Sequence, residues 1–534
     1  MEPLIKLKRR STGLFNQVQQ SLPSLPRFHT HSRLHQDVIK GTWEPIDVPF
    51  LPRSLHSLDV VAGSAYIFGG EINPREPVDN DMHIVRLPFS GASADYYKIE
   101  AKAALPESLE SRDESPGEET GQRDLDDVPL EGDALDKGKG PAAAEEELPE
   151  LGHVPCARVG HATAVIGSRI FLFGGRGGRD MAPLDEAGRV WVFDTRSCTW
   201  SHLDPVSAVS GDAVIPHPEP RSYHCATAID LPRDFARPRP RKPQTWRQWA
   251  VGDSARTGIP QNPIVGNVAE DAVDHESEGY GTFFIHAGCL ASGDRTSELW
   301  AFDINSRTWT ELPAAPGPCR EGTAICVSKS RLFRFGGYDG AQELGGQIDF
   351  LPLELEMFDD RTTKGEVSVY ARPGGWKTIV ADDQNASSTD IPAEASQDWP
   401  APRSFGSMQA LTLGGGREYL VLIMGERVPS PEGHDGAGIF LNDVWVFQVP
   451  PLGMTTASFK DAMLQAVGRK TGEGRWTKVS TAPYDDATDG EPTSRGWLAS
   501  APLGDVDEGG LVIWGGLGED NNRIGDGWIL RLRT

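Results

Sequence analysis

One unit of fixed design recurs six times along this chain of 534 residues: an arginine, a short alternating run, a second apolar run ending in Gly or Gly-Gly, then a run with a central aromatic. The spacing inside the unit is regular. Arg53 stands 17 residues before Gly70, Arg158 stands 17 before Gly175, and Arg320 stands 17 before Gly337. Arg403 precedes Gly425 by 22 and Arg495 precedes Gly516 by 21, while Arg221 precedes Gly288 by 67, the same unit with an insertion in its first turn. Repetition constrains a fold more tightly than composition does, because each unit buries its apolar face only by stacking on its neighbours. The second runs, AYIFGG, RIFLFGG, TFFIHAG, RLFRFGG, YLVLIMG and GLVIWGG, read as strands buried between stacked sheets. Glycine ends them because a chain leaving the crowded centre of a radial array needs backbone angles or close approaches that a Cβ would obstruct. With 59 Gly, 41 Pro and 38% hydrophobic residues, the chain has turn formers for many short strands and apolar residues for a sizeable core, so an all-β architecture is expected.

Third strands are predicted at 82–86, 190–194, 299–303, 355–359, 444–447 and 528–532, and outer strands are marked by Tyr97, Trp200, Trp309, Trp376 and Trp476. The sixth unit reaches Thr534 without an outer strand. The missing strand is expected at the other end of the chain, around Trp43, where pairing of 42–48 with 528–532 would close a ring and remove an exposed sheet edge. These units resemble kelch repeats, whose propellers are built from four-stranded blades. The predicted fold is all-β: a six-bladed kelch-type β-propeller over residues 37–534, closed by its N-terminal strand and preceded by a flexible basic tail, 1–36.

The formal net charge of -25 is concentrated, since residues 101–150 hold 16 acidic and 5 basic side chains and no aromatic. Such a segment cannot offset its ordering entropy by burial, so it reads as a disordered insert. Further inserts are expected at 229–280, a Pro/Arg-rich loop containing RPRPRK, at 361–398, and at 451–475, where Thr456, Phe459, Met463, Val467 and Gly468 outline a short capped helix. The acidity argues against nucleic acid as the main ligand. Six cysteines without a CxxC pair suit thiols in a reducing compartment, and no apolar run is long enough to span a membrane. A cytoplasmic monomer follows, with mitochondrial import a minority alternative on account of the basic residues in 1–36.

The six arginines, Arg53, Arg158, Arg221, Arg320, Arg403 and Arg495, would converge on one mouth of a closed propeller and raise the positive potential there, an arrangement suited to an anion. The alternative is that each pairs with a neighbouring blade's carboxylate or a loop carbonyl. His56, His161 and His224 follow three of these arginines by three residues and are candidates for ligand contact, proton transfer or plain blade contacts. Glu71, Arg176, Tyr338 and Glu426 directly follow the terminal glycines and should line the same rim. The segments 69–85, ARVGHA at 157–162, PRSYHC at 220–225 and SRGWLASA, together with Gly425-Glu426 opening a loop that contains GHDGAG, resemble the specifier proteins of glucosinolate breakdown. That resemblance implies a sulfate held by Arg158 and Arg221, and a ferrous iron held by a Glu-x3-Asp-x3-His set in the fourth unit. Counting here from Glu343 meets Gln347 and Leu351, with no histidine between His286 and His434. The iron site is therefore absent or rebuilt: Asp339, Glu343 and Asp349 remain candidate ligands, and no metal or other cofactor is predicted. Two function classes stay open. One is a binding module for a protein or an anionic small molecule; the other is a specifier-like lyase or isomerase acting on a reactive anionic metabolite.

Overall fold

The computed structural model describes residues 39–88, 92–104, 152–207, 214–230, 281–357, 367–381, 399–414, 416–433, 436–450, 473–485, 490–504 and 509–533. The chain divides into Met1–Val38, outside the described residues, and Ile39–Thr534, which holds every strand described below. The basic tail, most of the acidic insert, residues 231–280 of the Pro/Arg-rich insert and the helix expected after 450 also lie outside the described residues.

Six antiparallel sheets succeed one another along the chain, each beginning with an innermost strand: Ser57–Val61, Ala162–Ile166, Cys225–Ile229, Ala324–Ser328, Ser407–Leu413 and Ala499–Pro502. Each innermost strand lies beside the next, and the last lies beside the first, so the blades form a closed six-membered ring. Closure is covalently out of sequence. Lys40–Pro45 pairs antiparallel with Gly527–Arg533, Trp43 opposite Leu530, which makes the N-terminal strand the fourth of blade 6 as expected. A fifth strand, Ser480–Pro483, pairs parallel with Lys40–Trp43 and covers what would have been an open edge.

The recurrent tryptophans hold blade against blade. Trp200 of blade 2 packs on Phe68 of blade 1 at 5.0 Å between ring centroids, Trp309 of blade 3 on Phe173 of blade 2 at 5.3 Å, and Trp476 of blade 5 on Phe335 of blade 4 at 5.4 Å. Trp43 does the same job at the closing interface, buried among Ile423, Val444, Ile513 and Leu530. Each of the three aromatic pairs adds about 0.5–1.5 kcal/mol beyond the burial of its area.

Blade 4 departs from expectation. Its third strand is Gln347–Met357, beginning well before the predicted 355–359. The segment 361–398, read as a loop, contains two strands: Val367–Ala371 pairs with one end of this long strand and Lys377–Val380 with the other. Trp376 precedes the second of these rather than lying within an outer strand, and its indole donates to Pro313 O at 2.7 Å. The sequence marker misleads here because Asp349 stands where the other third strands carry an aromatic or His83.

Blade 5 is also enlarged. Its second and third strands, Arg417–Val428 and Ile439–Gln448, run on past the glycine as a hairpin whose Val428 and Ile439 are 44% and 56% exposed.

Candidate site at the channel mouth

The glycine pair explains the joint between blades. At the first position Gly69, Gly174, Ala287, Gly336, Met424 and Gly515 have φ between 54° and 72°, a region other residues enter at modest cost, so Ala and Met are tolerated. At the second position φ is 90–111° and only Gly occurs. A Cβ on Gly70 would lie 2.8 Å from Ser54 O, and one on Gly425 2.8 Å from Ser404 O.

That second glycine donates its N–H across the blade interface to the carbonyl of the next repeat arginine: Gly70 to Arg158, Gly175 to Arg221, Gly288 to Arg320, Gly337 to Arg403, Gly425 to Arg495 and Gly516 to Arg53, all at 2.8–3.0 Å. Two residues after each arginine, Leu55, Gly160, Tyr223, Gly322, Phe405 and Trp497 all adopt positive φ. Each donates its N–H to the carbonyl of the corresponding residue in the preceding blade at 2.8–3.1 Å, Leu55 to Trp497 completing the circle. Two closed circuits of six backbone hydrogen bonds therefore encircle the axis.

The arginines serve this joint. Exposed by 0–3%, they are withdrawn from solvent. Each Nη1 donates to the carbonyl ending its own second strand, Gly69, Gly174, Ala287, Gly336, Met424 or Gly515. Four guanidiniums also meet a carboxylate: Arg158 with Glu186 at 2.8 Å, Arg221 with Glu298 at 2.6 Å, Arg403 with Asp443 at 2.6 Å and Arg495 with Asp526 at 2.5 Å. In every one of these four blades the same carboxylate accepts the indole N–H of the third-strand tryptophan, Trp191, Trp300, Trp445 or Trp528. Blade 1 replaces the triad with Arg53 on His83, itself held by Asp79. Among the described residues Arg320 has only the carbonyls of Pro318 and Gly336, and burial together with nearby Arg334 lowers its pKa to about 10. The guanidiniums are thus committed to internal partners rather than held out at an opening, and the carboxylates come from the arginine's own blade, not from the neighbouring blade as expected. The signal for this was an acid two residues before the tryptophan in ELW, DVW and DGW, which the reading of the repeats passed over.

The three histidines are interblade spacers. The Cε1 atoms of His56, His161 and His224 stand 2.8–2.9 Å from where a Cβ on Gly515, Gly69 or Gly174 of the preceding blade would lie. Burial, then the adjacent arginine, drives each below the ordinary histidine range, His224 to about 3, so they are neutral.

What faces the mouth is aromatic. Tyr223 of blade 3, Phe405 of blade 5 and Trp497 of blade 6 come from blades that are not all neighbours, yet their rings meet: Phe405 and Trp497 stack at 4.5 Å, and Tyr223 lies 5.9 Å and 6.3 Å from them. Gly160 and Gly322, at the same repeat position, leave room, since a Cβ there would strike the rings of Tyr223 and Phe405. All three aromatics are only partly buried. Of the residues expected on the rim, Arg176 and Glu426 contact this trio. Arg176 lies 4.6 Å over the Tyr223 ring and donates to Ser222 Oγ at 3.0 Å; among the described residues it has no carboxylate partner. Glu426 accepts the Trp497 indole N–H at 2.8 Å, and Glu71 is paired with Arg523 at 2.7 Å. Tyr338 lies under Arg295, which is paired with Glu321. Glu343 accepts from Ser404 at 3.0 Å with one oxygen, while its Oε2 is out of solvent contact and has no hydrogen-bond partner. Burial, then the neighbouring carboxyls Glu426 and Glu321, raises Glu343 to about 8; burial raises Glu426 to about 7. The aromatic trio escaped the sequence reading because its position, two after the arginine, is occupied by Leu or Gly in the other three repeats.

Among the described residues no three His, Cys, Asp or Glu side chains converge as a metal-holding group. Of the acids considered for iron, Asp349 is paired with buried Arg334 at 2.9 Å and Asp339 accepts from the N–H groups of Ala341 and Gln342 in its own loop. Arg334, between Phe333 and Phe335 in the strand Arg331–Phe335, also reaches His286 at 3.3 Å and lies over Trp376, a polar bridge between blades 3 and 4.

Comparison with known proteins places this geometry. A family model described as a kelch motif matches residues 157–207, which span most of blade 2. Kelch domain-containing protein 3 of Rattus norvegicus is 26% identical over 226 residues, 39% of this chain and 56% of that protein, and its Homo sapiens counterpart is 25% identical over the same length. The flagellar outer-arm dynein alpha chain of Chlamydomonas reinhardtii is 25% identical over 208 residues, 38% of this chain and 3% of that one. The chain thus spans little more than half the length of one of these relatives and a small fraction of the other. A solved structure described as "Structure of YjhT" aligns with 90% of this chain and 95% of its own at a TM-score of 0.44 and 10% identity. With six blades joined through the glycine and arginine circuits, and with the kelch motif falling on blade 2, the chain is a six-bladed β-propeller that carries a kelch motif.

Proposed function

We propose that this propeller is a protein-interaction module whose binding face is the channel mouth on the side of the glycine turns. The observation that carries this reading is the convergence of the partly exposed aromatic trio, Tyr223, Phe405 and Trp497, held in left-handed backbone conformations that each cost about 1–3 kcal/mol and that collect at ligand-binding positions. Partly exposed Trp and Tyr are the side chains that anchor protein interfaces. The blade 5 hairpin rises beside them and presents Val428 and Ile439, and Ile72 of blade 1, 44% exposed, follows Glu71 of the rim. A partner seated on this face would cover an apolar centre bordered by charge, the usual anatomy of an interface. Arg176 is the arginine available for an anionic group on that partner. The commitment of Arg158 to Glu186 and of Arg221 to Glu298 favours binding over a specifier-like reaction, which would need both to hold a sulfate.

The test is selection from a displayed random-peptide library against the wild-type chain and against a Phe405→Ala, Trp497→Ala variant of unchanged melting temperature. Peptides that bind the first and not the second support the reading. Peptides that bind both equally, or that map by competition to the outer strands, oppose it.

A further inference from the structure

We infer that the Glu343–Glu426 side of the mouth receives a basic side chain of the bound partner, an arginine or lysine laid on the aromatic trio; this rests on the interaction reading above. Charge complementarity identifies the occupant. The rim's other acids are already answered within the protein, Glu71 by Arg523 and Glu321 by Arg295. Glu343 and Glu426 are not. Their contacts are neutral donors, the Ser404 hydroxyl for Glu343 and the Trp497 indole and Ser430 backbone N–H for Glu426, and among the described residues Glu343 keeps an oxygen with no hydrogen-bond partner. The aromatic surface is continuous with these carboxyls, because Trp497 both bonds Glu426 and stacks on Phe405, the residue next to Ser404. An aromatic face bordered by carboxyl groups is the chemistry that selects a guanidinium or ammonium group, through attraction to the ring face together with charge-assisted hydrogen bonds.

Binding should also be linked to protons. The two carboxyls are held partly protonated by burial, Glu343 also by the neighbouring Glu426, and a cation beside them favours ionisation, so association releases protons and tightens as pH rises.

The experiment uses two peptide mixtures, each of seven residues randomised over uncharged amino acids around a fixed centre, with arginine in one mixture and citrulline, its uncharged isostere, in the other. We expect the arginine mixture to bind the full chain roughly tenfold more tightly, with the preference growing from about pH 6 to about pH 8.5. In the Glu343→Gln, Glu426→Gln variant, checked for an unaltered circular-dichroism spectrum, the preference should vanish while citrulline binding persists. Equal binding of both mixtures, or a preference that survives in the double variant, overturns the inference. If the Phe405→Ala, Trp497→Ala variant loses the citrulline mixture although arginine confers no advantage, the interaction face stands and only the cation site fails.

Discussion

Replacing Arg158 with alanine should cost the free protein about 3–5 kcal/mol, the usual consequence of removing one partner of a buried ion pair. Arg158 is fully buried, and its guanidinium meets both oxygens of Glu186 and the carbonyls of Cys156 and Gly174. Alanine leaves Glu186, whose side chain is 10% exposed, with only the Trp191 indole to stabilise its charge. Arg320 supplies the internal control. It sits at the same joint with the same carbonyl bonds, but has no carboxylate hydrogen bond and feels the charge of Arg334. Arg320→Ala should therefore cost only about 1–3 kcal/mol, the loss of hydrogen bonds to buried carbonyls. Both are read from denaturant unfolding, with sulfate titration of the wild type alongside. A ligand site built by these arginines would raise the melting temperature with the logarithm of sulfate concentration, and Arg158→Ala would abolish that rise at little cost to the free fold. That result, or an Arg320→Ala penalty equal to that of Arg158→Ala, would refute the assignment of these side chains as structural staples within their blades.

Three further outcomes are expected. Deleting residues 1–36 should leave the melting temperature nearly unchanged, whereas deleting 1–50 removes the strand Lys40–Pro45, exposes the edges of Gly527–Arg533 and Ser480–Pro483, and should produce aggregation seen by light scattering. His224 has a folded pKa near 3, below its ordinary value of 6.5, so its contribution is complete above pH 6.5 and lost as pH falls below it; the stability deficit of His224→Gln should shrink by roughly 2 kcal/mol between about pH 7.5 and pH 5. Glu343 has the opposite sign, its folded pKa of about 8 lying above 4.5, so stability falls as pH rises between those values, and Glu343→Gln should be more stable than wild type by roughly 2–4 kcal/mol at about pH 9 in urea titrations.

The ring was legible because its periodic parts answer to local rules. The second glycine is enforced by a φ that no other residue adopts comfortably, and the outer tryptophans by the phenylalanine of the preceding blade, so both recur visibly. Closure by the strand at Trp43 followed from counting strands in the last unit. Blade 4 was less legible because Asp349 replaced the aromatic that marks a third strand, and only the packing with Arg334 shows why. The arginines were visible as a register but ambiguous in role. Their partners, Glu186, Glu298, Asp443 and Asp526, lie 28–77 residues away, at distances set by loop lengths that differ from blade to blade. The aromatic trio has no period at all: it exists because three of six copies of one position break the pattern, and its convergence becomes apparent only when blades 3, 5 and 6 are brought around one axis.

Whether partners dock at the mouth is tested most directly by site-specific photocrosslinking. A benzophenone amino acid placed singly at Ile72, Val428 or Ile439 samples the mouth side, and one at Tyr97 or Tyr484, each exposed on or beside an outer strand, samples the blade exterior. Irradiation with peptides selected by the wild-type chain should give covalent adducts from the first group, abolished by Phe405→Ala, Trp497→Ala, and none from the second. Adducts formed from positions 97 or 484, with positions 72, 428 and 439 silent, would place binding on the outer face of the blades and contradict the channel mouth as the functional site.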